Sequence, residues 1–293
     1  MALTFSVADL TIHRIIEQET TFLPAREMFP ELTPEMLDAE RSALQAANAL
    51  DAQDTLILCF QSYVVKTPHH TILIDSCIGN HKPRQGRPSW NMKTDDSYLR
   101  GLASAGFSVG DIDYVMCTHL HVDHVGWNTR LVDGQWVPTF AKARYVFGRT
   151  EYQHWRDHSE AADETATFAD SVQPIVAAGR ADLVASDAAI CDEITLIPTP
   201  GHSPGHVSLH IRSDGAEALL TGDVAHHPCQ MAHLDWSSTV DSDPAQGIAT
   251  RQALFSRFAD TATLVIGGHF DAGYIKRDGT AFRFEAVRGG GSA

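Results

Sequence analysis

His119-Leu120-His121-Val122-Asp123-His124 sets four potential metal ligands within six residues, directly after the apolar run Tyr114-Val115-Met116-Cys117. A short buried strand ending in such a loop delivers imidazoles and a carboxylate to one point. His119 and His121 are two apart and His124 three beyond, so these groups can aim inward while Leu120 and Val122 point elsewhere. One His-x-His alone reads equally well as a polar surface loop. The added Asp123-His124 turns the reading to metal.

Three more donors follow along the chain. His202 sits in the turn Thr199-Pro200-Gly201-His202-Ser203-Pro204-Gly205-His206 after the apolar run Ile194-Thr195-Leu196-Ile197. Asp223 ends Ala218-Leu219-Leu220-Thr221-Gly222-Asp223, and His269 follows Leu264-Val265-Ile266-Gly267-Gly268. Each closes a run with strand character, so all can meet at one rim of a sheet sandwich.

This ordered set resembles the metallo-β-lactamase superfamily of binuclear metallohydrolases. Its pattern is His-x-His-x-Asp-His, then a His in a Gly-His-x-Pro-Gly-His turn, then an Asp after a strand, then a late His. Matched residue by residue, the resemblance implies one metal on His119, His121 and His202, another on Asp123, His124 and His269, and Asp223 bridging them, with Asp223 and Asp123 assigned catalytic roles. It also implies an α+β four-layer αβ/βα sandwich. Asp75, after Leu73-Ile74, resembles the family residue that orients ligands by hydrogen bonding; a strand-end Asp capping a turn is the alternative. Imidazole and carboxylate donors without thiolate suit two divalent ions, zinc first, with manganese, iron or cobalt by metal availability. Two such ions can share a water and bring its pKa from about 15.7 towards neutrality, so no serine or cysteine nucleophile is needed.

Composition narrows the partners. A net charge of −15 argues against nucleic acid, which needs a basic face. The nearest basic cluster, His81-Lys82-Pro83-Arg84-Gln85-Gly86-Arg87, reads as a solvated loop. Five scattered cysteines without Cys-x-x-Cys read as free thiols in a reducing cytosol. No signal peptide or membrane span is apparent, and a cytoplasmic protein is expected. Residues 289–293, Gly-Gly-Gly-Ser-Ala, read as an appended flexible linker, leaving 1–288 as one hydrolase domain.

Residues 3–16 are strand-like. Residues 20–33 carry Phe22, Leu23, Met28 and Phe29 between Pro24 and Pro30, a payload expected outside regular structure. The extension 1–55 then serves as a lid over a pocket, an arm to a partner subunit, or a segment packed on its own core. A helix is expected over 34–50 with Thr33 as N-cap and Pro34 in its first turn, then strands 56–66 and 71–74 joined by a hairpin. Further helices are expected at 96–107, within 149–178 and at 244–258, with an Asp133-Gly134 hairpin turn. The remaining strands fall at 144–147, 182–185, 194–197, 207–212, 218–221, 264–266 and 281–287. His154 and His158, four apart, lack a third partner and read as surface histidines.

Substrate class follows by elimination. A bridging carboxylate at Asp223 speaks against true zinc β-lactamases. Glyoxalase II carries an added helical region, whereas 24 residues follow His269 here. The tail from His269 through Gly279, with Phe282-Arg283-Phe284, resembles the ending of methyl parathion hydrolase and its lactonase and arylesterase relatives. The expected activity is hydrolysis of a neutral lactone or aryl ester, with phosphotriesters as a side activity. The alternatives are a dedicated organophosphate hydrolase, a thioester hydrolase, or an iron-dependent persulfide dioxygenase-like enzyme. An apolar pocket suits a neutral ester, and its candidates are Phe22, Leu23, Trp90, Trp127, Met231, Trp236 and Phe270. His226 and His227 are candidates to hydrogen-bond the substrate or protonate a leaving group. By analogy with these relatives, and because of the apolar N-terminal arm, a homodimer is expected.

Overall fold

The computed structural model describes residues 4–46, 48–158 and 166–287; the linker expected at 289–293 lies outside them. Alternation of apolar side chains builds its centre. In Ile72-Leu73-Ile74 the isoleucines enter the inter-sheet core and Leu73 faces the other way. Ala218-Leu219-Leu220 and Leu264-Val265-Ile266 divide likewise, the middle residue of each turning outward. Successive strand side chains point to opposite faces, so a wholly apolar triplet must be covered on both sides.

The first sheet has the order β1 (Thr4–Val7), β2 (Leu10–Pro24), β3 (Thr55–Lys66), β4 (Thr71–Ile74), β5 (Tyr114–Met116), β8 (Arg144–Gly148), β9 (Ala181–Val184). It is antiparallel as far as β4 and parallel beyond. The second runs β10 (Ile194–Pro198), β11 (Val207–Ser213), β12 (Ala216–Leu220), β13 (Leu264–Ile266), β14 (Ala272–Asp278), β15 (Ala281–Ala286). Only its β12–β13 pair is parallel. β6 (Thr129–Val132) and β7 (Gln135–Pro138) form a separate ribbon, turned by Asp133 and Gly134, both at positive φ as a two-residue hairpin requires.

Helices cover both outer faces. Tyr98 and Leu102 of α3 (Ser97–Ser104), Trp155 of α4 (Arg149–His158) and Ile175 of α5 (Gln173–Ala177) pack on Leu73, Val115 and Tyr145. After a short α6 (Cys229–Ala232), Leu254, Phe255 and Phe258 of α7 (Pro244–Phe258) pack on Leu219 and Val265. α7 starts where its sequence says: Pro244 occupies the first turn and the Asp243 carboxylate accepts from Gln246 N at 3.0 Å. The layers are therefore helix, sheet, sheet, helix.

Several expectations change. Residues 3–16 are two strands, split by a turn with Ala8 at φ 51°. The segment 20–33 is partly regular: β2 continues to Pro24, paired with β3, and a short α1 (Ala25–Met28) follows. Its prolines stand at the strand end and beyond, where no ladder donor is required. Met28 and Phe29 are fully buried beside Leu58, Phe60 and Trp236 of the same chain. Met28 and Phe29 are thus covered within the chain, while Phe22 and Leu23 are half-buried beside them. α2 (Pro34–Ala46) is shorter than the helix expected over 34–50, and β14 was not anticipated at all.

The basic loop is corrected more sharply. Lys82 and Arg84 are each 1% exposed. Arg84 holds both oxygens of Asp170 at 2.8 and 2.9 Å, and Lys82 reaches Asp170 at 3.3 Å and Thr129 at 2.9 Å. Buried charge persists when it is paired, and this partner is 86 residues away in sequence from Arg84. Among the described residues no helix is long and apolar enough to cross a membrane.

Candidate metal centre

Five strand ends meet at one rim. β4 leads to Asp75, β5 to the 119–124 loop, β10 to His202, β12 to Asp223 and β13 to His269. Asp75 itself is at φ 56°, a left-handed turn that Asp tolerates better than most side chains.

Three imidazole nitrogens converge first. His119 Nε2 lies 3.0 Å from His121 Nδ1, and His202 Nε2 lies 2.7 Å from His121 Nδ1 and 3.1 Å from His119 Nε2. The far nitrogen of His202 donates to Asp241 Oδ1 at 2.9 Å. The far nitrogen of His119 donates to Thr118 Oγ1 at 3.0 Å, and that hydroxyl donates to Asp75 Oδ2 at 2.9 Å. With those protons placed outward, both Nε2 atoms present bare lone pairs. Lone pairs this close repel unless a cation lies among them.

A second group adjoins the first. His269 Nε2 is 3.6 Å from Asp123 Oδ2, and His124 Nε2 is 3.8 Å from the same oxygen. His124 Nδ1 donates to Asp75 Oδ2 at 2.9 Å and His269 Nδ1 to the Cys59 carbonyl at 3.0 Å. Asp223 Oδ2 stands between the groups, 3.4 Å from His202 Nε2, 3.4 Å from His124 Nε2 and 3.1 Å from His269 Nε2. Buried His124 Nε2 and Asp223 Oδ1 have no hydrogen-bond partner, which buried polar atoms rarely lack. His119, His121 and His202, then His119, His124 and Asp223, then Asp123, His124 and His269 form sets able to hold an ion, and His202, His226 and Asp241 form a fourth beside them. The donors present therefore fit two neighbouring cations.

Charge follows burial. Desolvation, then the neighbouring imidazoles, push His119 and His121 well below the usual histidine range. Burial opposes the Asp223 charge, but His269, His124 and His226 hold its carboxyl well below the carboxylate range. His206, which accepts from Asp223 N at 2.9 Å, is pushed down to about 3, chiefly by burial.

One carboxylate ties the ligand loops together. Glu151 of α4, 1% exposed, accepts through Oε1 from Leu120 N at 3.1 Å and Trp155 Nε1 at 2.6 Å. Through Oε2 it accepts from Ser203 Oγ at 2.8 Å and Gly205 N at 2.9 Å. It thus pins the backbone between His119 and His121 to the turn that carries His202.

The centre opens into a cavity of about 350 Å³ walled by Phe22, Leu58, Phe60, Trp90, Trp155 and Phe168, with Arg84 and Arg87 also at its lining. Of the pocket candidates, Phe22, Trp90 and His226 line it. His226 Nε2 is 3.3 Å from Asp223 Oδ2, and neither of its ring nitrogens has a hydrogen-bond partner.

The other candidates lie elsewhere. Trp127 stacks on Tyr98 at 5.2 Å and donates to Glu17 at 2.8 Å. Leu23 packs in the N-terminal cluster. Met231 is fully buried under α7 beside Phe255, Trp236 stacks on His233 at 3.8 Å, and Phe270 packs on Phe284 at 5.3 Å. His227 faces Cys229 Sγ at 3.0 Å. His154 and His158 stack on one another at 4.7 Å, and among the described residues neither belongs to a group able to hold an ion. Glu151 and Asp241 are not singled out by the sequence, the one local hint being an acidic residue four before a tryptophan in a helical pattern, and Arg84 and Arg87, read there as part of a solvated loop, line the cavity.

Residues 61–269 match the family model of the metallo-beta-lactamase superfamily. The chain belongs to that superfamily. As a member it is a metal-dependent hydrolase by lineage, and the fold is the αβ/βα sandwich its sequence resembled. N-acyl homoserine lactonase AiiA of Bacillus thuringiensis subsp. kurstaki is 26% identical over 190 residues, 61% of this chain and 69% of that protein. Among solved structures, the hydrolase AbOPH superposes with TM-score 0.81 at 21% identity, over 98% of this chain and 97% of the other. AidC, a dizinc quorum-quenching lactonase, superposes at 0.79 and 19% identity over the same shares. Superfamily members differ in chemistry, so the site must carry the rest.

Proposed function

We propose that this protein hydrolyses lactones and carboxylic esters at a centre of two divalent ions. His119, His121 and His202 hold one ion, Asp123, His124 and His269 the other, and Asp223 lies between them. The observation that carries this reading is the pair of converging donor groups sharing Asp223 Oδ2 at the floor of an aromatic-walled cavity. Zinc is the first expectation for imidazole and carboxylate donors, and manganese, iron and cobalt also fit.

Ions bound there would supply a low-pKa water and polarise the substrate oxygen. The chain does the rest. Asp75 and Asp241 hold His124 and His202 in the tautomers that leave Nε2 bare. Phe22, Phe60 and Trp90 exclude water from the acyl group. His226, buried beside Asp223 with free ring nitrogens, is placed to hydrogen-bond an oxygen of the substrate. The likeness to lactonases favours the lactone, and β1–β3 completing the first sheet supports reading 1–288 as one domain.

The test compares initial rates of zinc- or manganese-loaded protein on N-hexanoyl homoserine lactone, an aryl ester and a dimethyl aryl phosphotriester, with Asp223→Ala as background. Lactone or ester turnover is expected to dominate and to vanish in the variant while the far-UV spectrum is kept. A rate unchanged in Asp223→Ala, or a dominant phosphotriester rate, overturns the proposal.

A further inference from the structure

One part of the cavity lining does not suit a neutral substrate. From His269 a run of ring contacts leads away from the metal ligands: Phe60 at 5.3 Å, then Trp90 at 4.9 Å from Phe60, with Phe22 beside both. It ends at Arg87, whose guanidinium carbon lies 4.6 Å from the Trp90 ring centre and 5.2 Å from that of Phe22. Among the described residues no carboxylate pairs with Arg87. Arg84, which also lines the cavity, is 1% exposed and its Nε has no hydrogen-bond partner.

Beneath them lies Lys82, with Asp170 serving both it and Arg84. Lys82, Arg84 and Arg87 against Asp170 leave two positive charges uncompensated, in a chain whose net charge is −15. A cationic surplus of which Lys82 and Arg84 are buried and Arg87 half-buried, with an unsatisfied buried donor, is costly to maintain for packing alone. Held over two aromatic rings, Arg87 is also positioned without a salt bridge.

We infer that Arg84 and Arg87 form a subsite for an anionic group, a carboxylate carried by the substrate at the far end of an apolar acyl chain whose ester or lactone carbonyl lies at the metal centre. The aromatic wall accommodates the intervening methylenes. This rests on the hydrolase reading and narrows it, replacing the neutral substrate expected from the sequence with one that is charged away from the reacting carbon. Planar guanidinium against carboxylate is the geometry that gives such recognition both energy and direction.

Mono-4-nitrophenyl adipate and 4-nitrophenyl hexanoate have the same chain length and leaving group and differ at the far terminus. The metal-loaded protein should prefer the adipate ester at least tenfold in kcat/KM. Arg87→Gln should lower that ratio at least tenfold, mainly through KM for the adipate ester. A carboxylate can also ligate metal directly, so the deciding comparison is between wild type and variant rather than between substrates.

Calorimetry with adipic acid monoamide, which the enzyme is not expected to cleave, separates the two readings. If neither ester turns over but the monoamide binds wild type tenfold more tightly than Arg87→Gln, the subsite stands and the esterase reading falls. Equal kcat/KM for the two esters in wild type, or a ratio that survives Arg87→Gln, overturns the subsite.

Discussion

Replacing Glu151 with Gln changes one atom and removes the charge, yet the structure makes the consequence large. Four donors converge on this carboxylate, two on each oxygen: Leu120 N and Trp155 Nε1, Ser203 Oγ and Gly205 N. A carboxamide offers one oxygen, so whichever way it is turned, two donors face an NH₂ group and are left without an acceptor in a buried place. Hydrogen bonds to a charged partner contribute about 1.5–3 kcal/mol each, so the loss is about 3–6 kcal/mol. Part of it falls on the metal, since the pinned loops carry His119, His121 and His202. The assay is a urea unfolding midpoint together with bound-metal stoichiometry against a competing chelator. We expect a lower midpoint and an ion lost at chelator concentrations the wild type withstands. A variant within about 0.5 kcal/mol of wild type, the scale of an ordinary surface substitution, and retaining its metal would refute the reasoning.

Asp75→Ala removes the acceptor of His124 Nδ1 and of the Thr118 hydroxyl and amide; metal affinity should fall about 10–100-fold, read by chelator titration, while an unchanged affinity would deny it an orienting role. Gly268→Ala places a Cβ 2.5 Å from Asp223 Oδ1, so hydrolysis should drop with the fold intact by circular dichroism, and normal rates would show that the rim can yield. Lys82 gives a pH signature. Burial pushes its ammonium down to about 8, so between pH 8 and 10.5 the unfolded chain holds a proton that the folded chain has released. Stability from this group therefore rises with pH across that window, on the order of 3 kcal/mol. Lys82→Met should flatten that part of the pH–stability curve relative to wild type in urea unfolding, and parallel curves would contradict it.

The ligand donors were legible because each follows a strand and because His, Asp and Gly in that order have few other uses. The layers were legible from triplets such as Ile72-Leu73-Ile74, whose two-sided burial shows in composition alone. What sequence could not give was partnership over distance. Arg84 and Asp170, or Glu151 with Leu120 and Gly205, meet only after the chain has folded, and a basic loop looks solvated until its carboxylate arrives. The misplaced aromatics err in one direction. Phe270 stands next to His269, and neighbouring side chains point to opposite faces, so that adjacency directs it away from the cavity into the core, while Trp127 and Trp236, further from any ligand, pack on Tyr98 and His233.

The donors come from both sheets: β5 leads to His119, His121, Asp123 and His124, and β10, β12 and β13 lead to His202, Asp223 and His269, so each ion would take ligands from both. Ions held between them would act as a rivet through the open edge of the sandwich, adding to the apolar core and to cross-links such as Glu151 with Ser203 and Gly205. Free metal then becomes a thermodynamic variable of folding itself, adding about 2.7 kcal/mol when present at a hundredfold excess over its dissociation constant. The edge where catalysis takes place would be the first to part when metal is scarce, and activity and structural integrity at that rim would be lost together.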